Sequence, residues 1–552
     1  MPTVSTYPTI NIPNVDIWDF LFSRTDREYP DDKVIYSDYD TGHSYTFRNV
    51  RDLSIKFGAG LRAKHQWKNG NVVALFSPND VDYPVVMWGT HWAGGTVSLI
   101  NPNYTVSELQ FQLVDSGAKL LITHQALLPT VLKVAKKIGF PESKIFLLGD
   151  MESVRSLEFK HFKTVVSPVP LRKPVIDPKV DLSFLIYSSG TTGKPKGVML
   201  THSNIISNIL MKALCHNGNL SWKGGPNDSG DSVIGFLPFF HSYGLTAIVH
   251  IAIYIGMEVF VMPRFDLEKF CAITEQRKVT FAAVVPPVVL QLGKSPIVDK
   301  YDLSSLRLVS SGAAPLTREL VDVVQKRLNV HIVQGYGLSE TSPITHQQQW
   351  EDAGKVIGSI GRLLANQTSK FVSSSGQEVS DGEAGELWVK GPNIFKGYLN
   401  NVEGTKNALT QDGYFKTGDI GYQDKNGNVF ITDRIKELIK YNGFQVAPAE
   451  LEGILMSHPK VADVAVVGVN DEQLATEVPR AYIVTVAGVE RDEITSEEIT
   501  KWMADKVANH KLLRGGIKYI DAIPKTASGK IVRSLLRAKA KEEGIKRPQT
   551  KL

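Results

Sequence analysis

Cysteine is nearly absent from this 552-residue chain: only Cys215 and Cys271 occur, with no Cys-x-x-Cys pair and no Cys/His cluster. That argues against a disulfide framework and a structural zinc site, and it suits a reducing compartment. The start of the chain lacks a basic n-region and an apolar stretch, since no Lys or Arg precedes Arg24, so a secretory signal is not expected. Long apolar runs are scarce as well. One stretch, Leu245 to Met262, raises the question of a membrane span, but His250, Gly256 and Glu258 interrupt it and buried helix and strand are the expectation. Internal repeats and low-complexity tracts are missing, which argues against solenoid and fibrous architectures. An excess of one charge is missing too, apart from the tail: the formal charge is +5, yet residues 525–552 hold nine Lys or Arg against two Glu, leaving the rest at −2. A nucleic-acid partner would call for basic residues spread along a face.

What is present reads as a multidomain globular protein. Hydrophobic residues make up 42% and charged residues 22%, close to globular averages, and the length suits two to four packed units. Short β-branched runs at 182–187, 281–285 and 306–309 predict buried strands, and Leu316, Leu320, Val321, Val324 and Leu328 fall at helical spacing between them. This alternation predicts α/β layers. From about residue 370 glycine-rich turns separate short strands, as in 385–391 and 427–433, which predicts a small β-barrel or antiparallel sheet over about 356–433. A helix at 449–456, strands at 461–469 and 481–486, and a helix opened by a Thr495/Glu498 capping box predict a compact α+β unit. The expected division is therefore 1–433 and 434–552.

The most informative segment is Tyr187-Ser-Ser-Gly-Thr-Thr-Gly-Lys-Pro-Lys-Gly-Val198. Glycines let backbone N–H groups approach phosphate oxygens, while Ser188, Ser189, Thr191 and Thr192 offer hydroxyls and Lys194 and Lys196 offer charge around Gly190. It is not a Walker A loop, because Pro195 follows Lys194 where Ser or Thr would ligate magnesium. Alone, such a loop is as readily a surface turn. Seven further segments accompany it in order: Phe240–Gly244, Ser311–Pro315, Gln334–Thr341, Gly385–Gly391, Tyr414–Asp419, Asp433-Arg434 and Pro524–Lys530. Together they resemble the adenylate-forming superfamily of acyl-CoA synthetases, 4-coumarate:CoA ligases and firefly-type luciferases, and the texture at 285–289 and 301–306 is similar to the 4-coumarate:CoA ligase branch.

The resemblance implies ATP, Mg2+ and coenzyme A as co-reactants of a small-molecule carboxylic acid, and a large N-terminal part with a mobile C-terminal domain. It implies that Ser188 to Thr192, Lys196, Gly312, Ala313, Gln334, Gly335, Tyr336 and Ser339 hold the nucleotide, that Asp419 and Arg434 meet the ribose, and that Glu340 holds the metal. His241 is implied beside the acyl carboxylate and α-phosphate, and Lys530 between carboxylate and nucleotide. Tyr243, Ala247, Ser310, Ala313, Gly337, Pro343 and Ile344 are implied to form the acyl pocket, whose small Ser310 and Ala247 leave room for an aromatic or medium-length acid. Rotation at Lys436 would bring Lys440 to Gly443 inward for the thiol step.

Two departures stand out. Relatives often carry Lys-Tyr-Lys-Gly where this chain has Lys440-Tyr-Asn442-Gly443, which weakens one expected contact to coenzyme A; Arg264 matches a basic position near the CoA nucleotide. Transfer to a carrier-protein phosphopantetheine arm, or nucleotide binding without acylation, therefore stay open as alternatives. The terminal Thr550-Lys551-Leu552 approaches a peroxisomal address but lacks its serine, so a peroxisomal or cytoplasmic location is expected.

Overall fold

The computed structural model describes residues 2–151, 154, 157–188, 195–314, 316, 318–434, 437–441, 444–471, 474, 476–504, 506–526 and 529–544. Two large sheets dominate. In the first, strands Thr96–Ile100, Val72–Phe76, Leu120–His124 and Ile145–Leu148 run parallel in an eight-stranded array, and Leu182–Ser188 joins parallel to Thr96–Ile100. Val72–Phe76 is buried at every position, as a parallel strand covered on both faces requires. In the second, nine-stranded sheet, Phe281–Val284, Leu308–Ser311 and His331–Gly337 lie side by side in parallel.

Helices Phe47–Lys64, Tyr83–Trp92 and His202–His216, with the helical stretch from Leu245 to Ile255, share one hydrophobic core with residues of both sheets. The stretch at 245–262 is thus buried helix followed by strand Glu258–Val261, as expected, and among the described residues no helix is long and apolar enough to cross a membrane. Thr201 starts the helix His202–His216 with a reciprocal capping box through Asn204.

The small barrel or antiparallel sheet expected near 356–433 is an antiparallel sheet of five strands, with Thr3–Val4 from the far N-terminus at one edge and Val429–Arg434 at the other. The chain then builds a smaller α+β unit. Strands Val461–Asp471, Thr476–Thr485 and Ile517–Tyr519 carry one apolar cluster against Pro448–Met456 and Glu493–Ala504, and a second against Arg533–Glu543. The capping box expected at Thr495 is corrected here: the helix begins at Glu493, and the Asp492 carboxylate accepts the Thr495 N–H at 2.8 Å. An aspartate three residues upstream is an equally good acceptor, and it leaves Thr495 inside the first turn, buried.

Candidate functional site

Parallel strands of both sheets end at one place, with Ser188 closing one strand and Ser311 and Gly337 closing two of the other sheet. Carboxyl ends of parallel strands are where α/β sheets hold ligands. Ser188 pairs with Lys196 across an antiparallel ladder, so both flank the loop between them. The Ser188 hydroxyl donates to Glu340 Oε1 at 3.4 Å, and the Tyr398 hydroxyl donates to the same oxygen at 2.9 Å. Lys196 Nζ lies 4.9 Å from the centre of the Tyr398 ring. Glu340 is buried on the short turn Ser339–Thr341, and the Ser339 hydroxyl stands 3.5 Å from that of Ser242.

Strand His331–Gly337 carries the next group. The Tyr336 phenol donates to Asp419 Oδ2 at 2.5 Å, and Arg434 Nε lies 2.8 Å from Asp419 Oδ1. Asp419 and Arg434 face one another on adjacent strands, which fixes this triad. Burial and then the Asp419 charge push the Tyr336 phenol up, while the same carboxylate raises Arg434. The Arg434 contact is ionic but not aligned as a hydrogen bond, so among the described residues the buried Asp419 Oδ1 has no hydrogen-bond donor. Unsatisfied buried acceptors are costly and often mark a ligand's place.

Beside this triad a cleft encloses about 490 Å³, part of it open to solvent, with His241, Tyr243, Ser310, Gly312, Ala313, Gly335, Tyr336, Gly337, Pro343, Ile344 and Lys530 in its walls. Tyr243 is held by donating to the Ser310 carbonyl at 2.9 Å. Ala313 has a left-handed φ of 73°, a conformation that costs an alanine roughly 1 to 2 kcal/mol and concentrates at functional sites. Gly337 cannot be replaced: a Cβ there would meet the Pro343 carbonyl oxygen at 1.9 Å, so backbone itself forms that wall. At Gly335 the nearest atom would be 3.6 Å away, an ordinary contact.

Lys530 arrives from the smaller unit. Thr526 and Lys530 exchange hydrogen bonds, with the Thr526 N–H donating to the Lys530 carbonyl at 2.8 Å and the Lys530 N–H to the Thr526 hydroxyl at 3.1 Å. Gly529, at φ 80°, turns the chain so closely over the large domain that a Cβ would lie 3.3 Å from Val285 Cγ2. Lys530 sits on this turn, three residues before helix Arg533–Glu543 begins. Burial, then the Arg434 charge, lowers the Lys530 ammonium to about 8, against the raising effect of Asp419, Glu340 and Glu437. Burial and Lys530 push His241 down to about 3, so its imidazole is neutral. His241 Nδ1 accepts the Tyr243 N–H at 3.2 Å, which places the ring proton on Nε2.

Other expected residues stand apart from the cleft. Ala247 is buried in the helical stretch behind it, and Gln334 is buried with its side-chain carbonyl accepting the Leu316 N–H at 2.9 Å. Arg264 is exposed after strand Glu258–Val261. Lys440 is exposed as well, its N–H donating to Glu477 at 2.8 Å. Ser189, Gly190, Thr191, Thr192, Lys436, Asn442 and Gly443 lie outside the described residues. The sequence reading missed Lys212 and Gln347, which also line the cleft. One signal for Lys212 was available: it is the only Asp, Glu, Lys or Arg in helix His202–His216, and it sits in the apolar half between Met211 and Ala213.

Residues 22–399 match the family model described as AMP-binding enzyme, and residues 450–530 match that of the AMP-binding enzyme C-terminal domain. A probable 4-coumarate–CoA ligase 1 of Dictyostelium discoideum is 38% identical over 550 residues, covering 97% of each chain. The 4-coumarate-CoA ligase 1 of Narcissus pseudonarcissus is 36% identical over 547 residues, 98% of this chain and 96% of its own. Among solved structures, ATP-bound MatB from Rhodopseudomonas palustris superposes with a TM-score of 0.84 at 26% identity, covering 96% of this chain and all of the other, whereas apo MatB gives 0.73. The anthranilate CoA ligase AuaEII in complex with anthranoyl-AMP gives 0.85 at 25% identity, covering 97% and 98%.

Proposed function

The chain belongs to the AMP-binding enzyme family, and from that membership we propose that its cleft activates a carboxylic acid as acyl-AMP and passes the acyl group to coenzyme A. In the first half a carboxylate oxygen attacks the α-phosphorus of ATP and pyrophosphate leaves. In the second the thiolate sulfur attacks the acyl carbon, the bond from that carbon to the phosphate oxygen breaks, and AMP leaves.

One observation carries this reading: Lys530, still a cation at neutral pH, shares a half-buried cleft with a neutral His241. A carboxylate and a triphosphate repel each other, and an ammonium between them offsets that repulsion as charge builds at the α-phosphate. The neutral imidazole offers Nε2–H to an oxygen of the acyl carboxylate or α-phosphate. Asp419 Oδ1, buried without an aligned donor, suits a ribose hydroxyl, and Arg434 supplies its counter-charge at 2.8 Å. Tyr336, flanked by glycines, offers a ring face to the purine. Ser188, Ser189, Gly190, Thr191, Thr192 and Lys196 are assigned to the phosphates, with Gly312, Ala313 and Ser339 around them.

Magnesium fits Glu340: a buried carboxylate beside the hydroxyls of Ser188 and Tyr398 suits an ion held mostly by substrate phosphates and water, and among the described residues no cluster of three or more His, Cys, Asp or Glu side chains offers a protein cage. Bound there, the ion would neutralise phosphate charge.

Tyr243, Ser310, Pro343 and Ile344 line part of the cleft with space suited to an aromatic or medium-length acid. The greater likeness to the ATP-bound than to the apo MatB supports reading this conformation as the adenylating one, with Lys530 inward and Lys440 outside. A hinge at Lys436, between domains 1–433 and 434–552, would then exchange them, with Arg264, Asn442 and Gly443 near the CoA path. The deciding experiment is a carboxylic-acid panel with ATP, magnesium and coenzyme A, read by mass spectrometry of the thioesters and by acid-dependent exchange of pyrophosphate into ATP. ATP hydrolysis with no dependence on any acid would overturn it.

A further inference from the structure

A lysine on a helix that packs against a core ordinarily snorkels to water. Lys212 does not: it is 1% exposed on helix His202–His216. One turn earlier, Asn208 fastens this helix to strand Ile344–Gln347, its Nδ2 donating to the Ile344 carbonyl at 2.7 Å and its Oδ1 accepting the Ile344 N–H at 3.2 Å. That clamp turns Lys212 toward the cleft, where its ammonium donates to the Gln347 side-chain carbonyl. Gln347 stands opposite Gly335, and a Cβ at Gly335 would lie 3.8 Å from Gln347 Oε1, so the pair underlies the strand that carries Tyr336. Burial grades the cleft. Lys212, Ile344 and Gln347 form its closed end at 1, 5 and 2% exposure, whereas His241, Tyr336 and Lys530 are half-buried at the open end.

The closed end is electrostatically incomplete. An ammonium has three donors, and among the described residues its one hydrogen bond goes to a neutral amide. No Asp or Glu among them forms an ion pair with it; of its titratable neighbours, the Cys215 thiol alone favours the charge, and His216 is itself pushed down by burial and by Lys212. Burial accordingly lowers Lys212 to about 8. A buried cation without a counter-ion is costly, and a simple apolar acid would not relieve it.

We propose that Lys212 determines specificity at the closed end of the cleft, and that the acid taken is a dicarboxylic one whose second carboxylate pairs with the Lys212 ammonium. This rests on reading the cleft as the acyl site. Each carboxylate then meets its own cation. Lys530 is the cation assigned to the α-phosphate and Lys212 lies at the more deeply buried end, so the carboxylate at the open end reacts and the other only anchors.

The test compares matched acids, cinnamate with 4-carboxycinnamate and octanoate with octanedioate, with 4-coumarate as a neutral hydroxyl control, by kcat/KM for thioester formation. The wild type should favour the diacid of at least one pair by roughly tenfold or more, because a site built for a polar group rejects analogues lacking it. Lys212→Met should collapse that ratio to below one, and Lys212→Arg should keep part of it. Gln347→Glu retains the cation but supplies an internal carboxylate, so it should also abolish the preference, and it decides the matter if Lys212→Met fails to fold. Monoacids preferred in every pair, a ratio unmoved by Lys212→Met or by Gln347→Glu, or 4-coumarate matching 4-carboxycinnamate would overturn the proposal. Absence of pyrophosphate exchange with every acid would instead overturn acyl activation itself.

Discussion

Replacing Lys530 by alanine removes the one cation that, among the described residues, the smaller domain places in the cleft, and its effect should fall on one half-reaction. Two unit charges about 4 Å apart at an effective dielectric of about 20 interact by about 4 kcal/mol. The loss of one preorganised donor at a site of developing charge costs roughly 3 to 4 kcal/mol, or 10²- to 10³-fold in rate. Among the described residues, Arg434 is committed to Asp419, Lys212 is at the closed end, and Lys440 is exposed outside the cleft. Acid-dependent pyrophosphate exchange by Lys530→Ala should therefore drop by roughly two to three powers of ten. CoA-dependent consumption of synthetic acyl-AMP should largely survive, because in that step no carboxylate approaches a triphosphate and the lysine has swung away. Both rates are measured on one preparation, with thermal unfolding as a control for folding. Equal losses in the two assays, or no loss in either, would refute both the role of Lys530 and the alternation of domains.

Other perturbations test the surrounding parts. Gly529→Ala sets a Cβ against Val285 at a left-handed φ, so exchange should fall roughly tenfold for about 1 to 2 kcal/mol of strain, with acyl-AMP consumption spared. With Lys530 lowered to about 8 and active as the ammonium, kcat/KM for adenylation should be full below that pH and decline above it; His241, down at about 3, adds no limb near neutrality. Lys212 titrates in the same range, so the profile is to be repeated on Lys212→Met, where the decline should persist. Ser310→Met should narrow the acid panel by roughly 1 to 3 kcal/mol against bulky acyl groups, and an unchanged ranking would remove Ser310 from the pocket wall.

Much of the open end of the site was legible because its residues lie in short, glycine-punctuated segments whose chemistry is local. Tyr336 between two glycines, Asp419 after Thr417-Gly418 and Lys530 after Gly529 all announce a turn beside a functional side chain. The closed end was not, because it is made by tertiary packing: Lys212 and Gln347 are 135 positions apart and meet only through the Asn208 clamp. Helix ends failed for a different reason. Asp492 and Thr495 are both good cap acceptors, and no local rule ranks one above the other. The strand Thr3–Val4 was invisible for want of length, since two residues carry no periodicity and their place is set by Thr368 and Ser369 across the chain.

The walls of the acyl chamber differ in how far inheritance can remodel them. Ser310 and Ile344 present side chains, so single codon changes can enlarge, shrink or polarise the space they bound. At Gly337 any replacement would strike the Pro343 carbonyl, which makes that wall a fixed datum against which the rest varies. Gly335, two residues earlier on the same strand, has an open neighbourhood and would accept a methyl group above Gln347. Directed libraries for new acids are thus better spent at Gly335, Ser310 and Ile344, and two glycines that look equivalent in the sequence would diverge sharply in any survey of tolerated variants.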